Sequence, residues 1–350
     1  MFCELIEKVL IGLSGGVDSS VAAAVLKQNG YDVLGATLKM HGGLKNSEKD
    51  ILDAKSVCEN LNIEHYVFDF SCAFKREVED YFINSYLNGY TPNPCIVCNK
   101  TVKFKALIEK ADEMGVDYIA TGHYSKMGKS GDRVLLYRPE DKSKDQTYVL
   151  YSLTQEQLRR TKMPLSDYTK AQIREIAEEL KLINANRPDS QDICFIPDGD
   201  YAAFIKNNCD CEIEQGNYTD INGNVIGRHK GVIHYTIGQR KGLGIALGKP
   251  AFVISKNVDT NTVVIGDEEH LFSTKVKLKD LNFIPFDALN GELKVTAKLR
   301  YRHKEAPATL RMISEDTAEL EFSEPQRAPA PGQAAVFYDG DIVIGGGIII

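Results

Sequence analysis

The sequence predicts an α/β chain: a doubly wound parallel sheet in the N-terminal half, followed by a small β-rich central unit and a β-barrel-like C-terminal unit. Three observations carry that expectation. Short apolar segments alternate with helical ones between Val9 and Thr121, the pattern of successive βαβ units. A turn rich in glycine and serine, Ser14-Gly15-Gly16, separates the first strand from the first helix. From Cys209 onward the helical period fades, and brief β-rich runs appear between Asn, Asp, Gly and Pro.

The elements follow in order. Val9–Leu13 is apolar and reads as a buried strand running into the glycine turn; Asp18–Asn29 reads as the helix after it, stopping before Gly30. The alternation continues with Tyr31–Lys39 as strand, Ser47–Leu61 as helix, His65–Phe70 as strand and Ala73–Asn88 as helix. After a proline-rich loop, Asn99–Met114 reads as helix and Val116–Thr121 as a short buried strand. Thr154–Arg160, Thr169–Leu182 and Tyr201–Asn208 complete the helical part. Val232–Thr236, Ala251–Ser255, Thr262–Ile265, Leu293–Leu299 and Ala318–Phe322 read as strands, with a break near Leu271–Val276. The expected units are therefore 1–205, 206–272 and 273–350.

Bulk properties narrow the function classes. At 43% hydrophobic and 26% charged residues the chain has an ordinary globular composition. No apolar run reaches the roughly 20 residues that span a bilayer, and the start lacks a signal-peptide pattern, so a cytoplasmic protein is expected. Eight cysteines are too few for a disulfide scaffold in a chain this long, and most are expected to be reduced. A net charge of -7 opposes nonspecific nucleic-acid binding, so any RNA must meet a local basic surface. Arg228-His229-Lys230, Arg240-Lys241 and Lys298–Lys304 offer such clusters; a solvated charged β surface is the plainer reading of them.

Two constellations carry chemistry. In Ser14-Gly15-Gly16-Val17-Asp18-Ser19-Ser20, glycines let backbone N–H groups approach an anion, hydroxyls add donors and the following helix contributes its dipole. A Walker lysine is missing, which argues against ordinary γ-phosphate transfer. Asp18 suits either metal holding, loop orientation or helix capping. The second constellation is Asn93-Pro94-Cys95-Ile96-Val97-Cys98, two thiols in a proline-bent loop leading into a helix whose start would favour a thiolate near Cys98. A third thiol, Cys194, lies in Asp189-Ser190-Gln191-Asp192-Ile193-Cys194. Cys209 and Cys211 are spaced too closely for a four-cysteine zinc site. They, with Cys3, Cys58 and Cys72, read as structural or incidental.

SGGVDSS resembles the pyrophosphate loop of AMP-forming ATP pyrophosphatases, whose fold is adenine nucleotide alpha hydrolase-like. Together with TPNPCIVCNK at 91–100, ATGHY at 120–124, KDQTYVL at 144–150, DSQDICFIP at 189–197, YTIGQRKGLGI at 235–245 and APGQAAVFY at 330–338, it is similar to the bacterial tRNA-specific 2-thiouridylases along essentially the whole chain. The resemblance implies ATP and Mg²⁺ as cofactors, with adenylation of C2–O of a tRNA wobble uridine followed by sulfur transfer. By position, Cys194 would receive persulfide sulfur, and Cys98 would release it, with a Cys98–Cys194 disulfide as the by-product. Gly12, Leu13, Ser14, Gly15, Gly16, Val17, Asp18, Ser19, Leu38 and Gly122 would line the ATP site. Asn93, Pro94 and Cys95 would touch the target base, and His123, Lys144, Asp145, Gln146, Arg300, Tyr301 and Gln333 would contact tRNA. The implied partners are tRNA and a sulfur donor such as a cysteine desulfurase or sulfur-relay protein.

Cys95 departs from the best-known members of that family, which carry Asp there. Cys95, Cys98 and Cys194 could therefore hold an iron-sulfur cluster of the 4Fe-4S type with one open iron for sulfide, and this alternative stays open beside the persulfide route. Two broader readings also stand: another AMP-forming ligase acting on a small metabolite, which leaves the cysteines unused, and a noncatalytic RNA-binding protein that keeps the nucleotide loop as scaffold.

Overall fold

The structure is a computed structural model that describes residues 6–40, 45–185, 187, 193–245 and 248–350. In chain order the first part runs β1 (Lys8–Gly12), α1 (Val17–Gln28), β2 (Asp32–Lys39), α2 (Lys45–Leu61), β3 (His65–Asp69), α3 (Ser71–Phe74) and α4 (Asp80–Leu87). It continues with α5 (Pro94–Val97), α6 (Phe104–Glu113), β4 (Tyr118–Ala120), β5 (Lys126–Ser130), β6 (Arg133–Tyr137), α7 (Gln155–Arg159), β7 (Thr161–Lys162), α8 (Lys170–Glu179) and α9 (Tyr201–Asn208). The β-rich part holds β8 (Gly216–Thr219), β9 (Val225–His229), β10 (Phe252–Asn257), β11 (Thr262–Gly266), β12 (Phe272–Phe283), β13 (Glu292–Lys298), β14 (Ala306–Met312), β15 (Thr317–Arg327), β16 (Ala334–Asp339) and β17 (Ile342–Ile349).

The first sheet is parallel throughout, in the order β3-β2-β1-β4-β7. β1 leads by way of α1 to β2 on one side, while β4 joins its other side, so the order reverses between β1 and β4. In an open α/β sheet that reversal leaves a crevice beyond the carboxyl ends of the two strands. Val9, Leu10 and Ile11 of β1 are fully buried, as expected of a strand covered on both faces. α1 buries Val21, Ala22 and Ala23 completely and packs between the sheet and α8. A helix apolar on nearly every side belongs in that sandwiched position.

Two helices differ from their expected form. Ser71–Phe74 and Asp80–Leu87 are joined by a π turn, Lys75–Glu79, and Pro94–Val97 runs into α6 through a second, Cys98–Lys103. The helix expected from Asn99 therefore begins five residues earlier, with Pro94 at its first position and the Asn93 side chain accepting from the Cys95 amide at 3.1 Å.

The central sheet has the order β10-β11-β8-β9, with β8 and β11 parallel and the other pairs antiparallel. Val232–Thr236, expected as strand, contains instead a 3₁₀ turn, Val232–His234, entered through Gly231 at φ +112°. Its apolar residues serve packing: Ile233 is 1% exposed and joins the cluster of Phe74, Phe82 and Phe195. Just before this sheet, Cys209 and Cys211 are linked as a disulfide, their Cα atoms 5.3 Å apart.

In the C-terminal part, β12, β15, β14, β13, β16 and β17 form an antiparallel ring closed by pairing of β12 with β17. Its interior holds Leu278, Leu310, Leu320 and Phe337, all fully buried. A hairpin that the sequence reading leaves unassigned, β5–β6, reaches out of the first part and extends this sheet, with Tyr137 paired to Ile342. Leu135 and Leu136 then share one core with Leu150, Val336 and Tyr338, so the N- and C-terminal parts bury apolar surface together.

Candidate active site

The Ser14–Ser20 loop stands at the carboxyl end of β1, at the crevice. Its hydroxyls fold the loop upon itself: Ser19 Oγ donates to the Gly16 carbonyl at 3.1 Å, Ser20 Oγ donates to the same carbonyl at 2.9 Å, and Ser14 N donates to Ser19 Oγ at 3.2 Å. Gly15 has φ +71°, and a Cβ there would lie 2.8 Å from the Asp50 carbonyl, so only glycine fits. Gly16 is the N-cap of α1 and no side chain caps it, which leaves that end of the dipole open to an anion. Asp18 is the second residue of the helix and does not cap it. Its carboxylate receives Tyr124 Oη at 2.7 Å and Lys170 Nζ at 2.7 and 2.8 Å.

Gly122 lies against this loop. A Cβ at that position would sit 2.7 Å from Ser19 N and 2.9 Å from the Asp18 carbonyl carbon, so the turn after β4 can approach α1 only as glycine. Gly12 ends β1, and Leu38 lies near the end of β2, on the same edge of the sheet. Next to Gly122, the His123 Nδ1 atom is 2.9 Å from Thr121 Oγ1 and its ring stacks on Phe104 at 5.8 Å. Burial, aided by the Lys103 cation, lowers its pKa to about 3 and keeps the imidazole neutral.

The cysteines gather around Lys103, the cation that also acts on His123. Cys98 is 5% exposed and its Sγ lies 4.0 Å from Met40 Sδ, directly after β2. Cys95 and Cys194 are exposed, and both interact electrostatically with Cys98, as does Lys103. Burial pushes the Cys98 thiol up to about 12 although the Lys103 cation opposes the shift. The expected stabilisation of a Cys98 thiolate by a helix start is therefore overturned: Cys95, beside the N-cap, occupies the helix start, and Cys98 is carried one turn inward where its ionised form loses water. Among the described residues no three His, Cys, Asp or Glu side chains are grouped so as to hold a metal ion, the cysteine triad included. Asp189, Ser190, Gln191 and Asp192 of the third motif lie outside the described residues, as does Cys3.

The remaining expected contacts come together around the cysteine loop, yet several spend their polar groups inside the protein. Gln333 Nε2 donates to the Thr91 carbonyl at 2.7 Å, and Thr91 N donates to the Pro331 carbonyl at 2.8 Å, so the barrel turn before β16 buttresses Asn93-Pro94-Cys95. Asp145 is 6% exposed in its side chain; Arg138 and Lys298 each lie 3.8 Å away, and its Oδ1 accepts from Thr147 N at 2.9 Å. Gln146 Oε1 accepts from Tyr124 N at 2.8 Å. Arg300 donates to the carbonyls of Ile237 and Ala328, both at 3.0 Å, which ties the central unit to the barrel. Tyr301 is 42% exposed and its hydroxyl donates to the Asp145 carbonyl at 3.3 Å. Lys144 lies in the same turn, partly buried.

Sequence reasoning missed the second layer of the nucleotide loop. Asn184 Nδ2 donates to the Gly15 carbonyl at 2.8 Å and to Ser20 Oγ at 2.9 Å, while Arg187 donates to the same carbonyl at 3.2 Å and pairs with Asp50 and Asp53. Lys170 and Lys103 were missed too. None of them stands in a motif that announces a ligand; only contacts more than a hundred residues apart in sequence reveal Asn184, Arg187 and Lys170.

Comparison with known proteins agrees with this anatomy. Family models match three consecutive segments: a tRNA methyl transferase HUP domain over residues 7–198, a tRNA methyl transferase PRC-barrel domain over 202–267 and an aminomethyltransferase beta-barrel domain over 273–349. The chain is 51% identical over 354 residues to the tRNA-specific 2-thiouridylase MnmA of Clostridioides difficile (strain 630), covering 98% of each chain. It is 51% identical over 352 residues to the protein of the same name from Clostridium botulinum (strain Alaska E43 / Type E3), again covering 98% of each. The Acetivibrio thermocellus relative, also a tRNA-specific 2-thiouridylase MnmA, is 49% identical over 355 residues, with 98% of this chain and 99% of that one covered. Half of its residues are thus shared along nearly its full length, in a fold whose nucleotide loop and cysteines share one sheet edge, and the chain belongs to the tRNA-specific 2-thiouridylase family.

Proposed function

We propose that this protein is an ATP-dependent tRNA sulfurtransferase that adenylates C2–O of a wobble uridine and replaces that oxygen with sulfur carried by Cys194. One observation carries the reading: Cys98 meets Met40 directly after β2, on the same carboxyl edge of the sheet that bears the Ser14–Ser20 loop. A nucleotide bound at that loop and a sulfur carried beside Cys98 would share one crevice.

The uridine oxygen attacks the α-phosphorus of ATP, an O–P bond forms and the bond to pyrophosphate breaks. Loop amides and the α1 dipole face the charge that builds on the departing pyrophosphate. The terminal sulfur of a Cys194 persulfide then attacks C2, and AMP leaves with the oxygen. Cys98 gives up its proton and attacks Cys194 Sγ; the Sγ–S bond breaks, sulfur stays on C2 as the thiocarbonyl, and a Cys98–Cys194 disulfide remains for an external thiol to reduce. The partners are tRNA, extruding its base into the crevice, and a persulfide donor such as a cysteine desulfurase or a relay protein.

Mg²⁺ and a cluster are tested against the same residues. The Asp18 carboxylate is engaged by Tyr124 and Lys170, and the described residues offer no metal-holding group. The described residues thus present no ready ligand set for a cluster, Mg²⁺ would be held largely through the phosphates of ATP, and no step here passes through either. Among the described residues no helix is long and apolar enough to cross a membrane.

The test is mass spectrometry of nucleosides from tRNA incubated with the protein, ATP, Mg²⁺ and a persulfide source. A 2-thiouridine-type product is expected, lost in Cys194→Ala and in Cys98→Ser. Absence of product with folded, ATP-binding protein would return the chain to the small-metabolite ligases.

A further inference from the structure

The Asp18 carboxylate receives two side chains from far along the chain, and both lead to the same place. Tyr124, whose hydroxyl donates to Asp18 Oδ1, is 2% exposed. Its amide donates to Gln146 Oε1 at 2.8 Å, and its carbonyl accepts from Gln146 N at 3.1 Å. Lys170, whose ammonium spans both Asp18 oxygens, opens α8, and its backbone amide donates to Asp141 Oδ2 at 3.0 Å. The other oxygen of Asp141 accepts from Ser143 N at 3.1 Å, capping the 3₁₀ turn Lys142–Lys144.

The segment from Asp141 to Gln146 is therefore fastened at both ends, and both fastenings converge on one carboxylate in the nucleotide loop. Its middle carries Lys144 and Asp145, with the half-exposed Tyr301 of the barrel resting on the Asp145 carbonyl. The tethers are short, directional and shielded from water at Tyr124, so the segment and the loop resist moving independently.

We infer that Asp18 is a coupling node, with Tyr124 and Asp141 as positioning residues that make tRNA docking on the 141–146 segment tighten ATP binding at the Ser14–Ser20 loop. The inference rests on the reading of residues 144–146 as RNA-facing. A ligand that orders the segment also orders the loop, so the second ligand meets a site already arranged, and linkage makes the effect reciprocal. The arrangement suits the chemistry: attack on ATP by water before the uridine oxygen is in place would only yield AMP and pyrophosphate.

Isothermal titration of α,β-methylene-ATP into the full chain, with and without saturating unmodified tRNA, measures the coupling. The wild type is expected to bind the analogue about fivefold or more tightly in the presence of tRNA. Tyr124→Phe and Asp141→Ala should each reduce that gain and together bring it near unity, while the analogue's affinity without tRNA stays unchanged and the melting transition remains cooperative. A wild type without the gain, a folded double variant that keeps it, or variants that lose analogue affinity without tRNA would each overturn the inference. If the wild type binds neither ligand, the functional reading falls with it; if thiolation proceeds and the gain ignores both variants, only the coupling falls.

Discussion

The nucleotide loop and the positions expected to meet tRNA are built on opposite plans. Around Ser14–Ser20 the side chains shape a cradle and leave the N-terminus of α1 uncapped. At the positions expected to meet tRNA, Asp145, Gln146, Arg300 and Gln333 direct polar groups inward, onto Thr147, Tyr124, the Ile237 and Ala328 carbonyls and Thr91. A residue transferred by motif as an RNA contact can thus be a joint between parts of the enzyme, presenting its neighbours to the ligand instead of itself.

The strongest way to break the nucleotide side is one methyl group. Gly122→Ala places a Cβ against the backbone of Ser19 and Asp18, where nothing flexible can yield; ATP binding is expected to fall by two orders of magnitude or so, with overpacking costing about 1–3 kcal/mol. Titration calorimetry and a thermal melt separate the two effects, and unaltered affinity would show that the loop has room. Next comes Asp145→Ala, which removes one of the two carboxylates that face Arg138 and Lys298, leaving Glu305 paired with Arg138 at 2.7 Å, and takes the acceptor from the Thr147 amide. A loss of about 2 kcal/mol in urea unfolding is expected from the lost acceptor; an unchanged midpoint together with weakened tRNA binding would make RNA contact its main role.

Arg300 and Arg302 sharpen the comparison. Arg300→Met should cost about 1–3 kcal/mol by leaving two carbonyls without their donor, whereas exposed Arg302→Glu should leave the melt alone and weaken tRNA binding in a salt-dependent way. The reverse pattern would exchange their roles.

Smaller effects concern pH. His123 has a folded pKa of about 3, below its usual 6.5 because of burial and Lys103. The unfolded chain therefore binds the extra proton first: this stability is present above pH 6.5 and is lost as pH falls from 6.5 toward 3. His123→Asn should flatten the unfolding free energy across that window. Cys98, held up to about 12 chiefly by burial, should resist iodoacetamide at pH 8 while exposed Cys194 reacts, a contrast that peptide mass spectrometry reads directly.

Much of this was legible in advance because the signals were local. A strand, a glycine turn and a helix follow one another in Val9–Asn29, and period and punctuation locate them without knowledge of the rest. The π turn at Cys98–Lys103 was not legible, since one extra residue per turn leaves no mark in composition, and the helix expected from Asn99 starts instead at Pro94. Nor was the role of Val232–Thr236, whose Ile233 fills a core belonging to α4 and α9 while Val232 packs in the central unit. Asn184, Arg187 and Lys170 acquire meaning only when folding brings them to Gly15 and Asp18.

The hairpin β5–β6 has a consequence for synthesis. Its partner strand, β17, begins only at Ile342, about two hundred residues later, which at about 5–20 residues per second leaves the hairpin waiting roughly 10–40 s on the ribosome. During that interval its free edge is open to pairing with a neighbouring nascent chain. Lys126 and Lys129 on the hairpin supply the like charge that keeps such edges apart, so neutralising them should show first as aggregation during translation, before any defect appears in the finished enzyme.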